Sequence, residues 1–300
     1  MRQADVSLLG MSSPKSPSVP AYSSPTAAHV PLDCAGFDPG TDRLAVRREG
    51  GVVVVELADP DRRNMMGLEM TAAWGRLMAA VAADREVRAL LVTGRGSAFS
   101  SGGNTAWIGA DSQEPVGVLR DRMLAYYRTW LAVRELPVPT IAALNGPAIG
   151  AGAALALACD IRWAGRSAVM AWPFLRMGMH PGMMSTFLLT EVAGPAVARD
   201  LLLTGRRVGA DELASLGLVT RVVADGDLPA ESMAAAAAAA GGAPVAVRLA
   251  VAALRGGTVR EWEPTLQWEG LAQAVTLASS DLAEGLAAQR ERREPRFTGR

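Results

Sequence analysis

Backbone amides, more than side chains, are the first groups in this sequence whose arrangement suits chemistry. Between Thr140 and Asp160 the chain reads TIAALNGPAIGAGAALALACD. A short β-branched and apolar run meets an Asn-Gly-Pro break at 145–147, then Gly150, Ala151 and Gly152 lead into an alanine-rich segment with no charge before Asp160. This pattern predicts a buried strand, a tight turn and the N-terminus of a buried helix. A helix start leaves N–H groups unpaired and carries a partial positive charge, so it can hold an oxyanion developing on a substrate. Small residues at 150–154 let that substrate approach the backbone. The stretch from Ile141 to Cys159 is nearly long enough to cross a membrane, but Asn145, Pro147 and the glycines interrupt it. A plain core element without chemistry is the other reading.

Few side chains could move a proton nearby. His180, beside Pro181 and Gly182, is the only histidine after His29, and histidine can serve as base, acid or activator of a nucleophile. The alternative is a hydrogen bond from His180 that merely holds its loop. Asp111 and Glu114 follow a second glycine-rich turn, GRGSAFSSGGN; solvated loop carboxylates are their simpler explanation. Only one of Tyr126 and Tyr127 can face a given side of a helix, and core packing accounts for it. Asn104 reads as a helix cap.

The elements that must position these groups alternate. Val52 to Leu57 reads as a strand, Asp59 to Asn64 as a polar turn, and Leu68 to Ala83 as a helix with Leu68, Trp74, Leu77, Met78 and Val81 near helical spacing. A strand over Arg88 to Thr93, a short helix capped by Asn104 and a longer helix over Val118 to Arg134 follow. Further on come a strand near Ala168 to Ala171, a helix through Ser185 to Ala193, and the segment LLLTGRRVGADELASLGLVTRVV. Such alternation implies parallel strands joined by right-handed crossovers. Residues 226–300 are helical in character: Gly241 and Gly242 stop an alanine run that reads as packing surface, and Pro244 can start the next helix. Residues 1–41, rich in Ser and Pro, read as a disordered arm without the pattern of a secretory signal; an organellar transit peptide or a start at Met11 are alternatives.

The chain has 300 residues and as many basic as acidic ones, 30 of each. That balance argues against a nucleic-acid partner, whose phosphates call for basic excess. Two cysteines in unlike contexts, Cys34 and Cys159, argue against a disulfide framework and for a reducing, cytoplasmic compartment. No cluster of His and Cys suggests a metal, and no membrane partner is expected.

Five segments in order resemble the enoyl-CoA hydratase/isomerase (crotonase) superfamily: RRNMM at 62–66, AFSSGGN at 98–104, PTIAALNGPAIGAGAALALACD at 139–160, LLLTGRRVGADELASLGLVTRVV at 201–223, and the terminal SDLAEG and RREPRFTGR. The resemblance covers about Leu44 to Arg300. It implies an α/β fold, a crotonase-like spiral of βαβ units over 42–225 with a C-terminal helical trimerisation segment over 226–300, in a homotrimer or hexamer. It also implies a thioester carbonyl held between the N–H groups of Gly103 and Ala151, a pair of donors each worth about 3 to 4 kcal/mol. The substrate implied is an acyl group on coenzyme A or on an acyl-carrier protein, with no permanently bound cofactor. Arg62, Arg63, Met65 and Ser101 fall beside the coenzyme A; His180, Trp107, Asp111, Glu114 and Phe174 fall in segments that line or close over the acyl pocket of relatives, as do Trp172, Met177, Met179, Met183 and Met184. Hydratases of the family carry two glutamates at the positions of Ala154 and Phe174. Neither residue here can move a proton, so the expected chemistry is isomerisation, decarboxylation, C–C cleavage or thioester hydrolysis. A catalytically lapsed subunit and an ordinary enoyl-CoA hydratase are the rival readings.

Overall fold

The structure, a computed structural model, describes residues 39–110, 113–256 and 262–300. The chain opens with β1 (Leu44–Glu49) and β2 (Val52–Leu57), an antiparallel pair turned by Gly50 at φ 59°. Then come α1 (Leu68–Ala83), β3 (Ala89–Gly94), α2 (Thr105–Ala110), α3 (Val116–Leu131) and β4 (Thr140–Leu144). The centre is β5 (Ala148–Ile149), α4 (Ala151–Ala158), β6 (Ile161–Gly165) and β7 (Val169–Ala171). After it run α5 (Ser185–Thr204), β8 (Arg207–Gly209), α6 (Ala210–Ser215) and β9 (Arg221–Val223). The helices α7 (Leu228–Ala240), α8 (Pro244–Leu254), α9 (Trp262–Leu277) and α10 (Ser280–Glu291) end it.

Beyond the β1–β2 hairpin the main sheet is parallel, in the order β1-β2-β3-β4-β6-β9, and β5, β7 and β8 form a small second sheet beside it. This is the spiral of βαβ turns. Val52 to Val55 are all buried, as a parallel strand covered on both faces requires. Val53, Val55, Leu90 and Val92 pack in the cluster that holds Trp74 of α1, Trp130 of α3 and all-buried residues of α4. Val52, Val54, Leu91 and Ile141 face the other way, against Leu228 and Ala236 of α7. The alanine run is thus a packing surface, since small side chains let that helix lie close to the sheet.

Several details depart from the sequence pattern. β6 gave no separate signal, because Asp160 and Arg162 interrupt the apolar pattern and leave a run too short for periodicity to read. The helix expected over 118–134 runs from Val116 to Leu131 and tightens into a 3₁₀ turn over Ala132–Glu135. Leu68 is exposed rather than core. The helix beginning at Ser185 reaches Thr204, broken in the middle by Gly194 at φ 79° ahead of Pro195.

One polar cluster joins α8 to the sheet. Asp160 accepts from the Thr140 N–H at 2.8 Å and the Thr140 hydroxyl at 2.9 Å, tying the start of β4 to the segment after α4. Arg255, just past α8, donates to both oxygens of Asp160 at 2.7 and 2.6 Å and to the carbonyls of Arg134, Leu136 and Val138. Burial pushes the neighbouring Cys159 thiol up to about 12, so it is an inert core group. The Arg255 side chain is 10% exposed and that of Asp160 24%, and removing one partner of such a pair leaves the other charge uncompensated. Arg255→Met is expected to cost about 3 kcal/mol, read as a fall of several degrees in Tm; an unchanged Tm would mean that α8 is held by its apolar contacts alone.

Candidate active site

Two glycine-bearing turns meet at the C-terminal ends of β3 and β4. In the first, Phe99 and Ser100 donate their N–H groups to the Pro147 carbonyl, and Ile149 returns a hydrogen bond to the Ser100 carbonyl at 2.9 Å. Gly102, at φ 89°, has no room for a side chain: a Cβ there would collide with the Ile149 carbonyl oxygen and stand 3.1 Å from the Ala151 nitrogen. The second turn bends at Gly150, φ 56°, whose N–H is held by the Ala171 carbonyl at 2.8 Å. α4 starts at the next residue, so the Ala151 N–H lies in the first turn of a helix whose eight residues are all buried. Among the described residues, neither the Gly103 N–H nor the Ala151 N–H is recorded in a hydrogen bond. Two of the expected site residues, Gly103 and Ala151, are therefore brought to adjoining turns as unpaired donors.

The segment 62–66 runs along the first turn. Ser101 receives both of its anchors there, its N–H donating to the Arg63 carbonyl at 2.8 Å and its hydroxyl to the Arg62 carbonyl at 3.1 Å. Met66 donates to the Gly102 carbonyl at 2.8 Å, and Met65 is half-buried beside it. The side chains of Arg62 and Arg63 are exposed and form no ion pair among the described residues, which leaves two guanidinium groups at the rim where an anion could be met.

Other expected residues are placed less uniformly. Phe174 is almost fully buried, its ring 3.6 Å from where a Cβ of Gly150 would be, so it walls the second turn with hydrocarbon. Ala154 is fully buried in the first half of α4. Trp107 on α2 is half-buried, with its ring 5.4 Å from that of Tyr126 and the Arg122 guanidinium 5.1 Å above it. Asn104 caps α2 as expected, accepting from the N–H groups of Ala106 and Trp107 at 3.0 and 3.2 Å. Asp111 lies outside the described residues, and Glu114 is exposed in the bend before α3. Among the described residues no carboxylate hydrogen-bonds to 98–104 or 145–152; Glu56 meets only the Arg95 guanidinium at the start of the first turn. The expected methionine wall is divided: Met183 is buried, whereas Met177 and Met184 are exposed, at 47% and 49%.

His180 is exposed and makes no hydrogen bond among the described residues, so it does not hold its loop. That task falls to Ser185, whose hydroxyl donates to the Gly182 carbonyl at 2.6 Å; the Tyr127 hydroxyl faces Gly182 in the same loop. Met183 and Met184 both adopt left-handed conformations, φ 55° and 56°, in this loop, a cost of order 1–3 kcal/mol each that surrounding contacts must offset.

Two contributors were not singled out in the sequence. Ser100, fully buried, donates to the Asn64 carbonyl at 2.7 Å and accepts from the Gly102 N–H at 3.1 Å. Asn64, equally buried, donates to the carbonyls of Arg95 and Ala98 and accepts from the Asp59 N–H. Their signal is a polar residue inside a turn motif, legible only once both turns are known to touch. Two cavities, of about 550 and 700 Å³, lie around Arg134, Val251 and Arg255 at the other end of α3, away from these turns. Their lining is largely aliphatic; of its carboxylates Asp160 and Glu191 are paired with Arg255 and Arg134, and its thiol is the inert Cys159.

Residues 47–300 match the family model described as enoyl-CoA hydratase/isomerase. The chain belongs to this family. A Thermus thermophilus protein provisionally named enoyl-CoA hydratase is 37% identical over 249 residues, 83% of this chain and 98% of the relative. The human enoyl-CoA hydratase domain-containing protein 2, mitochondrial by its name, is 35% identical over 255 residues, 83% of this chain and 86% of its own length. The crystal structure of an enoyl-CoA hydratase from Bacillus anthracis superposes with a TM-score of 0.81 at 30% identity, covering 86% of this chain and all of the other.

The contact between the turns gives a direct test. A Cβ on Gly152 would lie 2.6 Å from the Ser100 carbonyl oxygen and 2.7 Å from its Cβ, whereas a Cβ on Gly103 would meet the flexible tip of Ile108 at 3.1 Å. Gly152→Ala is expected to destabilise by about 1–3 kcal/mol, as overpacking does, and to abolish acyl-CoA turnover; Gly103→Ala is expected to fold with nearly unchanged Tm. Thermal melts of both variants check this, and equal Tm values would sink the interlock.

Proposed function

We propose that this protein is an acyl-CoA enzyme that stabilises a thioester enolate or oxyanion with the N–H groups of Gly103 and Ala151 and does so without the paired-carboxylate water chemistry of hydration. The observation that carries the reading is the apolar second turn, with Phe174 against Gly150 and Ala154 buried behind it. Hydration needs a base for water and an acid for the α-carbon, groups worth about 10² to 10⁴ each. A hydrocarbon wall supplies neither group and lowers the local dielectric, which strengthens two backbone donors aimed at a developing charge. Isomerisation, decarboxylation, C–C cleavage and thioester hydrolysis all pass through such a charge. In each, Arg62 and Arg63 would meet the phosphates of coenzyme A, Met65 and Ser101 would line its path, and Trp107 would bound the acyl end. His180 is the candidate for proton transfer. The names of the relatives favour a second reading, an ordinary enoyl-CoA hydratase, and the same experiment separates the two.

A panel of crotonyl-, malonyl-, methylmalonyl-, β-keto- and aryl-acyl-CoA incubated in D₂O and followed by mass spectrometry is expected to show α-deuterium, loss of CO₂ or release of coenzyme A, with no gain of water by crotonyl-CoA. Hydration of crotonyl-CoA would establish the second reading; coenzyme A binding without any turnover would identify a lapsed subunit. His180→Ala should lower the same signal by about 10² or more if that imidazole transfers the proton.

The helical end bears on assembly. Leu266, Leu271 and Val275 of α9 and Leu286 of α10 are exposed by 47% to 63%, an apolar surface of the kind that marks a protein interface. We infer that α9 and α10 pack against further copies of the chain. Native mass spectrometry is expected to give three or six copies, and truncation after 256 to give monomer or aggregate; a monomeric full-length protein would remove this assignment.

A further inference from the structure

Tyr126 is the one ionisable side chain among the described residues that reaches the oxyanion turn, and the function read above gives it no task. We propose that Tyr126 is a positioning residue for the Gly103 donor, its hydroxyl fixing the 62–66 segment that pairs with Gly103 and closing the space behind it. The inference rests on the oxyanion reading of Gly103 and Ala151.

Four observations converge on it. The Tyr126 hydroxyl, 5% exposed with its residue, donates to the Met66 carbonyl at 3.1 Å. Met66 donates its own N–H to the Gly102 carbonyl at 2.8 Å and forms an isolated parallel bridge with Gly103, so whatever holds Met66 holds the turn. The phenol oxygen lies 3.6 Å from the position a Cβ of Gly103 would take, directly behind the donor residue. Its ring is packed between Trp107, on the helix that leaves the turn, and Trp130, with centroids 5.4 and 6.5 Å away. Tyr126 thus touches the segment that pairs with the donor turn, the donor residue and the helix after it. Burial first, then the nearby Tyr127, raises the Tyr126 pKa far above the ordinary phenol value, so the hydroxyl keeps its proton and remains a donor at any working pH. Tyr127 is turned elsewhere, its hydroxyl toward Gly182, which makes it the natural control.

A phenylalanine fills the same volume but leaves the Met66 carbonyl without this donor. The 102–104 backbone then gains freedom, and a donor that must meet a charge within a fraction of an ångström is the part most sensitive to it. The probe is acetoacetyl-CoA, whose enolate is read by its ultraviolet absorbance at one fixed pH, with butyryl-CoA as a ligand that cannot report enolisation. In the wild-type protein the enolate share of bound acetoacetyl-CoA is expected to exceed that of the free thioester. Tyr126→Phe should lower the enolate-to-keto ratio about threefold to tenfold, the worth of one net hydrogen bond, with the butyryl-CoA Kd unchanged; Tyr127→Phe should leave the ratio at the wild-type value. Amide hydrogen exchange at 102–104, measured without ligand, should be faster in Tyr126→Phe. An unchanged ratio or unchanged exchange in Tyr126→Phe overturns the positioning role and leaves the oxyanion reading standing. No enolate enrichment in the wild type overturns the oxyanion reading and this inference with it.

Discussion

The close approach of Ser100 and Gly152 is the constraint on which the rest depends. Gly152 is a glycine because the Ser100 backbone and side chain occupy the place of its Cβ, and Gly102 is one because the Ile149 carbonyl occupies the place of its own. The Ser100 hydroxyl then ties this crossing to Asn64. Three separate stretches of sequence, ending one helix crossover apart, are drawn into one layer at the ends of β3 and β4. Backbone N–H groups can be aimed only as accurately as the chain carrying them is held, and here that chain is held by packing of main chain on main chain.

The sheet beneath supplies the rigidity. β3 and β4 lie parallel in register, Leu90 to Thr93 opposite Thr140 to Ala143, and both are buried on both faces. Each sends its C-terminal end into one of the two turns. α4 is apolar on every side, so nothing on it competes for the dipole at its start, and its far end is closed by Asp160, Thr140 and Arg255. Charge is thus kept at one end of the layer while the other presents neutral donors.

The sequence made the fold legible because strand, break and helix signals fell in order and the glycines marked the turns. The candidate donors Gly103 and Ala151 came from the family resemblance, and the glycines alone pointed only to the helix start at Ala151. What stayed hidden were contacts between distant segments. Ser100, Asn64 and Tyr126 look like ordinary polar residues in a turn or on a helix, and only the crossing of 62–66, 99–103 and 147–152 gives them partners. β6 was lost because it is only five residues long and carries Arg162 directly after Asp160 and Ile161, which leaves no clear apolar period to read. His180, conspicuous as the only histidine after His29, proved to be exposed, with Ser185 holding its loop.

Arg63 and Asn64 both adopt left-handed conformations, φ 52° and 55°, and the buried Asn64 side chain satisfies three backbone groups at once. The short stretch between β2 and α1 is therefore strung taut before anything binds. A polyanion arriving there has no loop to organise; the freedom surrendered on capture is confined to two guanidinium side chains and to the ligand itself. On the function proposed above, discrimination among substrates would then arise around Trp107 and Phe174, where the surroundings can differ without disturbing a handle at Arg62 and Arg63.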